Sequence, residues 1–345
     1  MEKMLHAAPV HATLPECFIF PADKLPQAKA TSGAVSLPII DLSLGRDEVR
    51  RAILDAGKEI GFFQACIVVN HGVSLEAMRD MEAVCQEFFA LPQEDKAGLY
   101  SEDAGKATRI YSSTMFDTGA EKYWRDCLRL ACSFPDVGDS PSGWPDKPAR
   151  LREVVERFTV QTRGLGMQIL RLLCEGLGLR PDYLEGDISG GDVVLHVNHY
   201  PPCPDPTATL GLPPHCDRNL LTLLVPSMVR GLEVAYKGDW IKVDPVPGAF
   251  VVNFGCQLEV VTNGVLKSIE HRVMTNLGVA RTTVATFIMP TTDCLIGPAA
   301  EFLSDDNPPA YRTLTFGEFK RIYSVVKLGS SLNLTTNLKD VQKEL

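Results

Sequence analysis

The chain has 345 residues, 45% of them hydrophobic, with 34 basic against 43 acidic side chains for a net charge of -9. That length and apolar share suffice for a sizeable core in one large domain or one with an appendage, while the acidic balance and the lack of a long basic run argue against nucleic acid or anionic membrane as partners. No run approaches the ~18 consecutive apolar residues of a membrane helix, and the N-terminus lacks a secretory apolar stretch. Ten cysteines without CxxC spacing read as free thiols of a cytoplasmic protein with no obligate protein partner.

Residues 1–36 are rich in Ala, Pro and Ser without a period and read as an extended arm. Leu37–Leu42 reads as a short strand. Apolar residues at helical spacing (Val49, Ile53, Ala56, Ile60) predict a helix over 47–60. Gly61 to Val69 reads as a strand closed by a turn at Asn70-His71-Gly72. Ser74 is the expected N-cap of a helix with Met78, Met81, Val84, Cys85, Phe88 and Phe89 on its apolar face, ended by Pro92. A third helix is expected over about 148–177, stopped by Gly176, Gly178 and Pro181.

From Asp192 the texture changes to short β-rich runs between Gly and Pro turns. The expected strands are Val193–Tyr200, Leu220–Val225, Leu232–Tyr236, Ala249–Phe254, Glu259–Thr262 and Thr283–Met289, with Asn263-Gly264 as a hairpin signal. A last helix is expected over 316–326. Many short strands after a helical half predict an α+β, mainly β fold: a double-stranded β-helix, or jelly-roll, core buttressed by helices. The expected division is an arm over 1–36, a helical region over 37–185, the jelly-roll core over 186–300, and a C-terminal helix and tail over 301–345.

His215-Cys216-Asp217 places an imidazole and a carboxylate two apart, on one face of a strand. With His271 they make a two-His, one-carboxylate set. Such a set leaves metal positions open, which suits non-haem Fe(II); a zinc hydrolase uses similar ligands. Arg281 and Thr283 offer a cation and a hydroxyl for a ligand carboxylate, a pair with no obvious job in a hydrolase. His196, Asn198 and Tyr200 share one strand face, with Tyr200 able to bond the same carboxylate. Phe287 and Met289 alternate with Arg281 and Thr283, so they either line that cavity or pack in the core.

Asn198-His-Tyr-Pro-Pro-Cys-Pro204, His215-x-Asp217, His271 and Arg281-x-Thr283 resemble the plant-type 2-oxoglutarate/Fe(II)-dependent dioxygenases. So does Leu37-Pro-Ile-Ile-Asp41 through Val69-Asn-His-Gly72, and the resemblance covers nearly the whole chain. Lys122–Leu130, Tyr236–Asp244, Leu258–Gly264 and Val326–Leu338 are most similar to the phytosiderophore hydroxylases within that family. The resemblance implies Fe(II) on His215, Asp217 and His271. It implies 2-oxoglutarate held by Arg281, Thr283, Tyr200 and Asn198, with O2 as the other co-substrate and ascorbate as a stimulant. The implied reaction hydroxylates a small metabolite such as 2'-deoxymugineic acid, releasing succinate and CO2. The alternatives are the same chemistry on an indole, alkaloid or hormone, and a metal-binding homologue without turnover. For an amino-polycarboxylate substrate Arg129 is the expected cation, with His196 and Arg218 as weaker candidates.

The chain departs from the family pattern in three places. Thr283 replaces the usual serine and keeps the hydroxyl. The stretch from Gly61 to Gly72 is three residues longer, which would swap strand faces unless a bulge absorbs it. His196 stands where relatives often carry an amide.

Overall fold

In this computed structural model, which describes residues 13–25, 36–58, 65–114, 122–134, 137–138 and 140–325, the apolar runs become strands of two opposed sheets. In chain order the first half contains β1 (Ile39–Asp41), α1 (Arg46–Lys58), β2 (Ala65–Val69), α2 (Leu75–Ala90), α3 (Gln93–Ala97), β3 (Arg109–Ser112), β4 (Asp126–Cys132) and α4 (Leu151–Leu177). The second half contains β5 (Val193–Tyr200), β6 (Leu212–His215), β7 (Leu221–Val225), β8 (Leu232–Tyr236), β9 (Asp239–Lys242), β10 (Phe250–Phe254), α5 (Cys256–Val261), β11 (His271–Val273), β12 (Arg281–Ile288), β13 (Leu295–Ile296), β14 (Leu314–Thr315) and α6 (Phe316–Val325). The large sheet runs β1-β2-β10-β7-β12-β5-β4-β3 and the small one β6-β11-β8-β9. This is the expected jelly roll. Four strands of the large sheet lie in the 37–185 stretch read as helical, the expected β1 and β2 and the unexpected β3 and β4.

Strand alternation separates two environments. Leu195, Val197, Leu221, Leu223, Val252 and Val284 point outward, into a core shared with the apolar faces of α1, α2 and α4. The intervening residues Ile67, Leu224, Val251 and Ala285 point inward and pack on Leu232, Val234 and Ile241 of the small sheet. Ser74 caps α2 as expected, its hydroxyl accepting from the Ala77 amide. Gly178 ends α4 in the left-handed region.

Gly61–Gln64 lie outside the described residues, as do 1–12 and 326–345. From Ala65 on, β2 pairs with β1 and β10 without a register shift. Ala65 and Ile67 face inward while Cys66 and Val68 face the outer core. Residues 13–25 of the arm are docked: Phe18 meets Trp124 edge-on at 5.1 Å, and Phe20 meets Tyr123 at 5.1 Å.

One expected strand is a helix. Glu259–Thr262 falls in and after α5, and Asn263-Gly264 closes that helix instead of a hairpin. Asn263 sits at φ 49° and Gly264 at φ 84°. The Asn263 amide donates to Val260 O at 3.1 Å and the Gly264 amide to Glu259 O at 2.9 Å. These paired bonds are a Schellman closure. Local β-branching at Val260, Val261 and Thr262 favoured a strand, but tertiary packing overrides it: Leu258, Val260 and Val261 bury against the main core.

The start of α5 fixes the loop that follows β6. Gly255 N donates to Leu220 O at 3.0 Å, Cys256 N to Asp217 O at 2.8 Å, and the Gln257 side chain to Arg218 O at 2.9 Å. A Cβ at Gly255 would lie 1.9 Å from Asn219 O, which is backbone and cannot yield. Gly255→Ala is therefore expected to destabilise the protein by about 2 kcal/mol or more, read as a lower urea midpoint.

Candidate active site

His215 ends β6 and His271 begins β11, and the two are direct cross-strand partners. Their rings face each other at 4.2 Å between centroids. Asp217 lies just beyond β6, not within it, yet its side chain returns to the same side because α5 holds the loop. Asp217 Oδ1 is 4.0 Å from His215 Nε2 and 3.8 Å from His271 Nε2. Cys216 points away, its thiol donating to Ser268 O at 3.5 Å.

The protonation pattern suits a metal. His215 Nδ1 lies 2.8 Å from Pro213 O and His271 Nδ1 lies 3.2 Å from Ile269 O. A carbonyl only accepts, so each Nδ1 carries the hydrogen and each Nε2 presents a lone pair. Burial, and then the neighbouring His271, push His215 down to about 3, so this imidazole is neutral. Asp217 Oδ2 accepts from Thr222 Oγ1 at 2.7 Å and from Asn253 Nδ2 at 3.4 Å, leaving Oδ1 towards the two imidazoles. A cation with bonds of about 2.1 Å bridges atoms up to about 4.2 Å apart, and both Asp217–His pairs satisfy that. The residues fit a divalent metal. Among the described residues this is the one His/Cys/Asp/Glu group so disposed. Thr222→Val keeps the shape and removes the hydroxyl, so metal affinity is expected to fall roughly 10- to 100-fold in an anaerobic Fe(II) titration.

A second cluster occupies the inner face of the large sheet. Arg281 pairs with Tyr200, and Thr283 with Asn198. Arg281 is 2% exposed, its Nε donating to Val229 O at 3.1 Å and its guanidinium 5.4 Å from the Tyr200 ring centroid. Gly231 admits this arginine, since a Cβ there would lie 3.1 Å from its Cδ. Arg125 was not expected. Its Nη1 donates to Asn198 Oδ1 at 2.9 Å and its Nε to Ser113 O at 3.1 Å. Burial raises the Tyr200 phenol pKa, opposed by Arg125 and Arg281 on either side. The alternation Arg125, Cys127, Arg129, which runs into β4, is the sequence signal that could have found Arg125.

Of the expected substrate residues, His196 and Phe287 meet at 4.9 Å, edge to face, on the inner side. Arg129 is the cross-strand partner of His196. Its Nη1 donates to the carbonyls of Lys106, at 3.1 Å, and Ala107. Met289 does not join them. It lies past the end of β12, where the alternation stops, and packs against the main core.

Residues 191–290 match the family model of the 2OG-Fe(II) oxygenase superfamily. Residues 37–151 match that of the non-haem dioxygenase in morphine synthesis N-terminal region. The chain is 68% identical to 2'-deoxymugineic-acid 2'-dioxygenase of Hordeum vulgare over 345 residues, all of both chains. It is 57% identical to mugineic-acid 3-dioxygenase of Hordeum vulgare over 99% of each. Its fold matches the crystal structure of JOX2 in complex with 2OG, Fe, and JA with a TM-score of 0.84, at 31% identity and covering 96% of each chain. Among the described residues no helix is long and apolar enough to cross a membrane.

Proposed function

Because the chain belongs to the 2OG-Fe(II) oxygenase superfamily, and is a dioxygenase using Fe(II) and 2-oxoglutarate, we propose that it hydroxylates 2'-deoxymugineic acid or a closely related amino-polycarboxylate. The observation that carries the substrate class is the cationic inner face around His196, in a protein whose net charge is -9. The 68% identical relative bears that substrate in its name. The proposed location is the cytoplasm.

In this reading His215, Asp217 and His271 hold the iron, and Thr222 and Asn253 orient Asp217. Arg281 takes the distal carboxylate of 2-oxoglutarate in a charge-assisted pair, with Thr283 and Tyr200 as hydroxyl partners. Arg125 aligns Asn198 and Tyr200 from behind. The bound iron with 2-oxoglutarate supplies O2 activation. The chain's own residues fix both carboxylate ends, position one substrate C–H bond and keep water out of the inner face. The stoichiometry is substrate, O2 and 2-oxoglutarate in; hydroxylated substrate, succinate and CO2 out.

The test is succinate formation by iron-loaded protein with and without 2'-deoxymugineic acid, followed by mass spectrometry of the product. Substrate-stimulated succinate with a product heavier by one oxygen atom is expected. Slow succinate indifferent to the added compound would discard this substrate and favour another small molecule.

A further inference from the structure

Arg109, Arg129 and His196 are consecutive cross-strand partners on β3, β4 and β5, so their side chains leave the same inner face. The row continues through Ala285 and Leu224 into the interior of the roll. One step along, Tyr111, Cys127, Asn198 and Thr283 form the adjacent row. The row of arginines therefore lies beside the proposed 2-oxoglutarate residues.

The cluster is densely positive. The Tyr111 ring lies between two guanidiniums, 4.8 Å from Arg109 and 5.5 Å from Arg125. Tyr111 also meets His196 edge-on at 6.3 Å. Burial, then Arg125, Arg129, Arg109 and Arg218, hold His196 well below its ordinary value, so it is a neutral imidazole among four cations. Arg218 follows Asp217 directly, and Lys320 of α6 feels both Arg218 and Arg129. Against these five cations the Asp192 carboxylate acts on Arg129 and Lys320. Burial and then Arg109 lower the Arg129 pKa. Two guanidiniums held side by side at the cost of mutual repulsion gain from an anion between them. Among the described residues the acceptors of Arg129 are two carbonyls, both on Nη1, so its other edge is not turned to them.

We propose that Arg109 and Arg129 form a two-arginine subsite for one carboxylate of the substrate, beside His196 and apart from Arg281. The inference rests on the amino-polycarboxylate reading and assigns two residues to its selectivity. A carboxylate here is fixed bidentately or bridged. Phe287, against His196, forms an apolar wall next to it.

The test uses full-length, iron-loaded protein with Arg109→Gln, Arg129→Gln and Arg129→Lys. Two readouts are needed: KM for 2'-deoxymugineic acid, and inhibition of substrate-free succinate formation by tricarballylate, a plain tricarboxylate. Each glutamine variant is expected to raise the substrate KM and weaken tricarballylate inhibition roughly 10- to 100-fold. The KM for 2-oxoglutarate is expected to move less than about twofold, which a general loss of fold would not allow. Arg129→Lys recovers part of the loss. Unchanged substrate KM and unchanged inhibition in folded variants would overturn the subsite. Equal rises in both KM values would also overturn it, by placing the arginines in a general structural role. If the parent protein ignores 2'-deoxymugineic acid, the substrate reading fails while tricarballylate still decides the subsite.

Discussion

Asp217→Asn is expected to reduce succinate formation more than about 1000-fold, because it removes the one carboxylate of the proposed metal set. The substitution is nearly isosteric. Thr222 Oγ1, 2.7 Å away, and Asn253 Nδ2, 3.4 Å away, still find an amide oxygen. That oxygen is then spent on them, and the amide NH2 faces the lone pairs of His215 and His271. Iron affinity falls with activity. The metal-free fold does not suffer, since a 6% exposed carboxylate is replaced by a neutral group of the same size. Thermal melting of metal-free protein at or above the parent value, with turnover lost, separates a ligand role from a packing role. Near-parental turnover would remove Asp217 from the metal set.

Arg281→Ala is expected to raise the KM for 2-oxoglutarate roughly 100-fold or more. The side chain is buried and reaches the inner face beside Tyr200, so its charge is poorly replaced by solvent. The more telling readout is selectivity. A 2-oxo acid without the distal carboxylate, such as 2-oxobutyrate, gains little from Arg281. The parent protein should prefer 2-oxoglutarate strongly and the variant should not. Arg281→Lys restores only part of the preference, because an ammonium cannot present the planar fork. A variant that keeps the full preference would move the distal-carboxylate role to Arg125.

Much of the site was legible because it depends on short-range patterns. The alternation of His196, Asn198 and Tyr200 along β5 places their side chains from spacing alone. His215-x-Asp217 marks the pair, although Asp217 lies past the end of β6 and owes its orientation to the loop held by the first turn of α5. The split of β5 and β12 into an outer face with Leu195, Val197, Val284 and Ile288 and an inner face with His196, Asn198, Arg281 and Thr283 follows from the same period. What was not legible depends on which strands become neighbours. Arg109 reaches His196 only because β3 pairs with β4 and β4 with β5. Nothing within a few residues of Arg109 announces that. The helix at 256–261 was misread for a related reason: its β-branched residues suit a strand, but buried neighbours and the Asn263-Gly264 closure select a helix. That helix matters for the proposed metal site, since its first turn holds the loop bearing Asp217. Of the two readings open for Met289, core packing holds, because β12 stops one residue earlier, at Ile288.

The proposed reaction is dioxygenation of a small polycarboxylate at this constellation. The most direct measurement is turnover of iron-loaded protein with 2-oxoglutarate and 2'-deoxymugineic acid under 18O2, with both products analysed by mass spectrometry. One labelled atom is expected in succinate and one in the hydroxylated product. Folded, iron-loaded protein that forms no succinate, or a product whose new oxygen comes only from water under conditions without exchange, would contradict it.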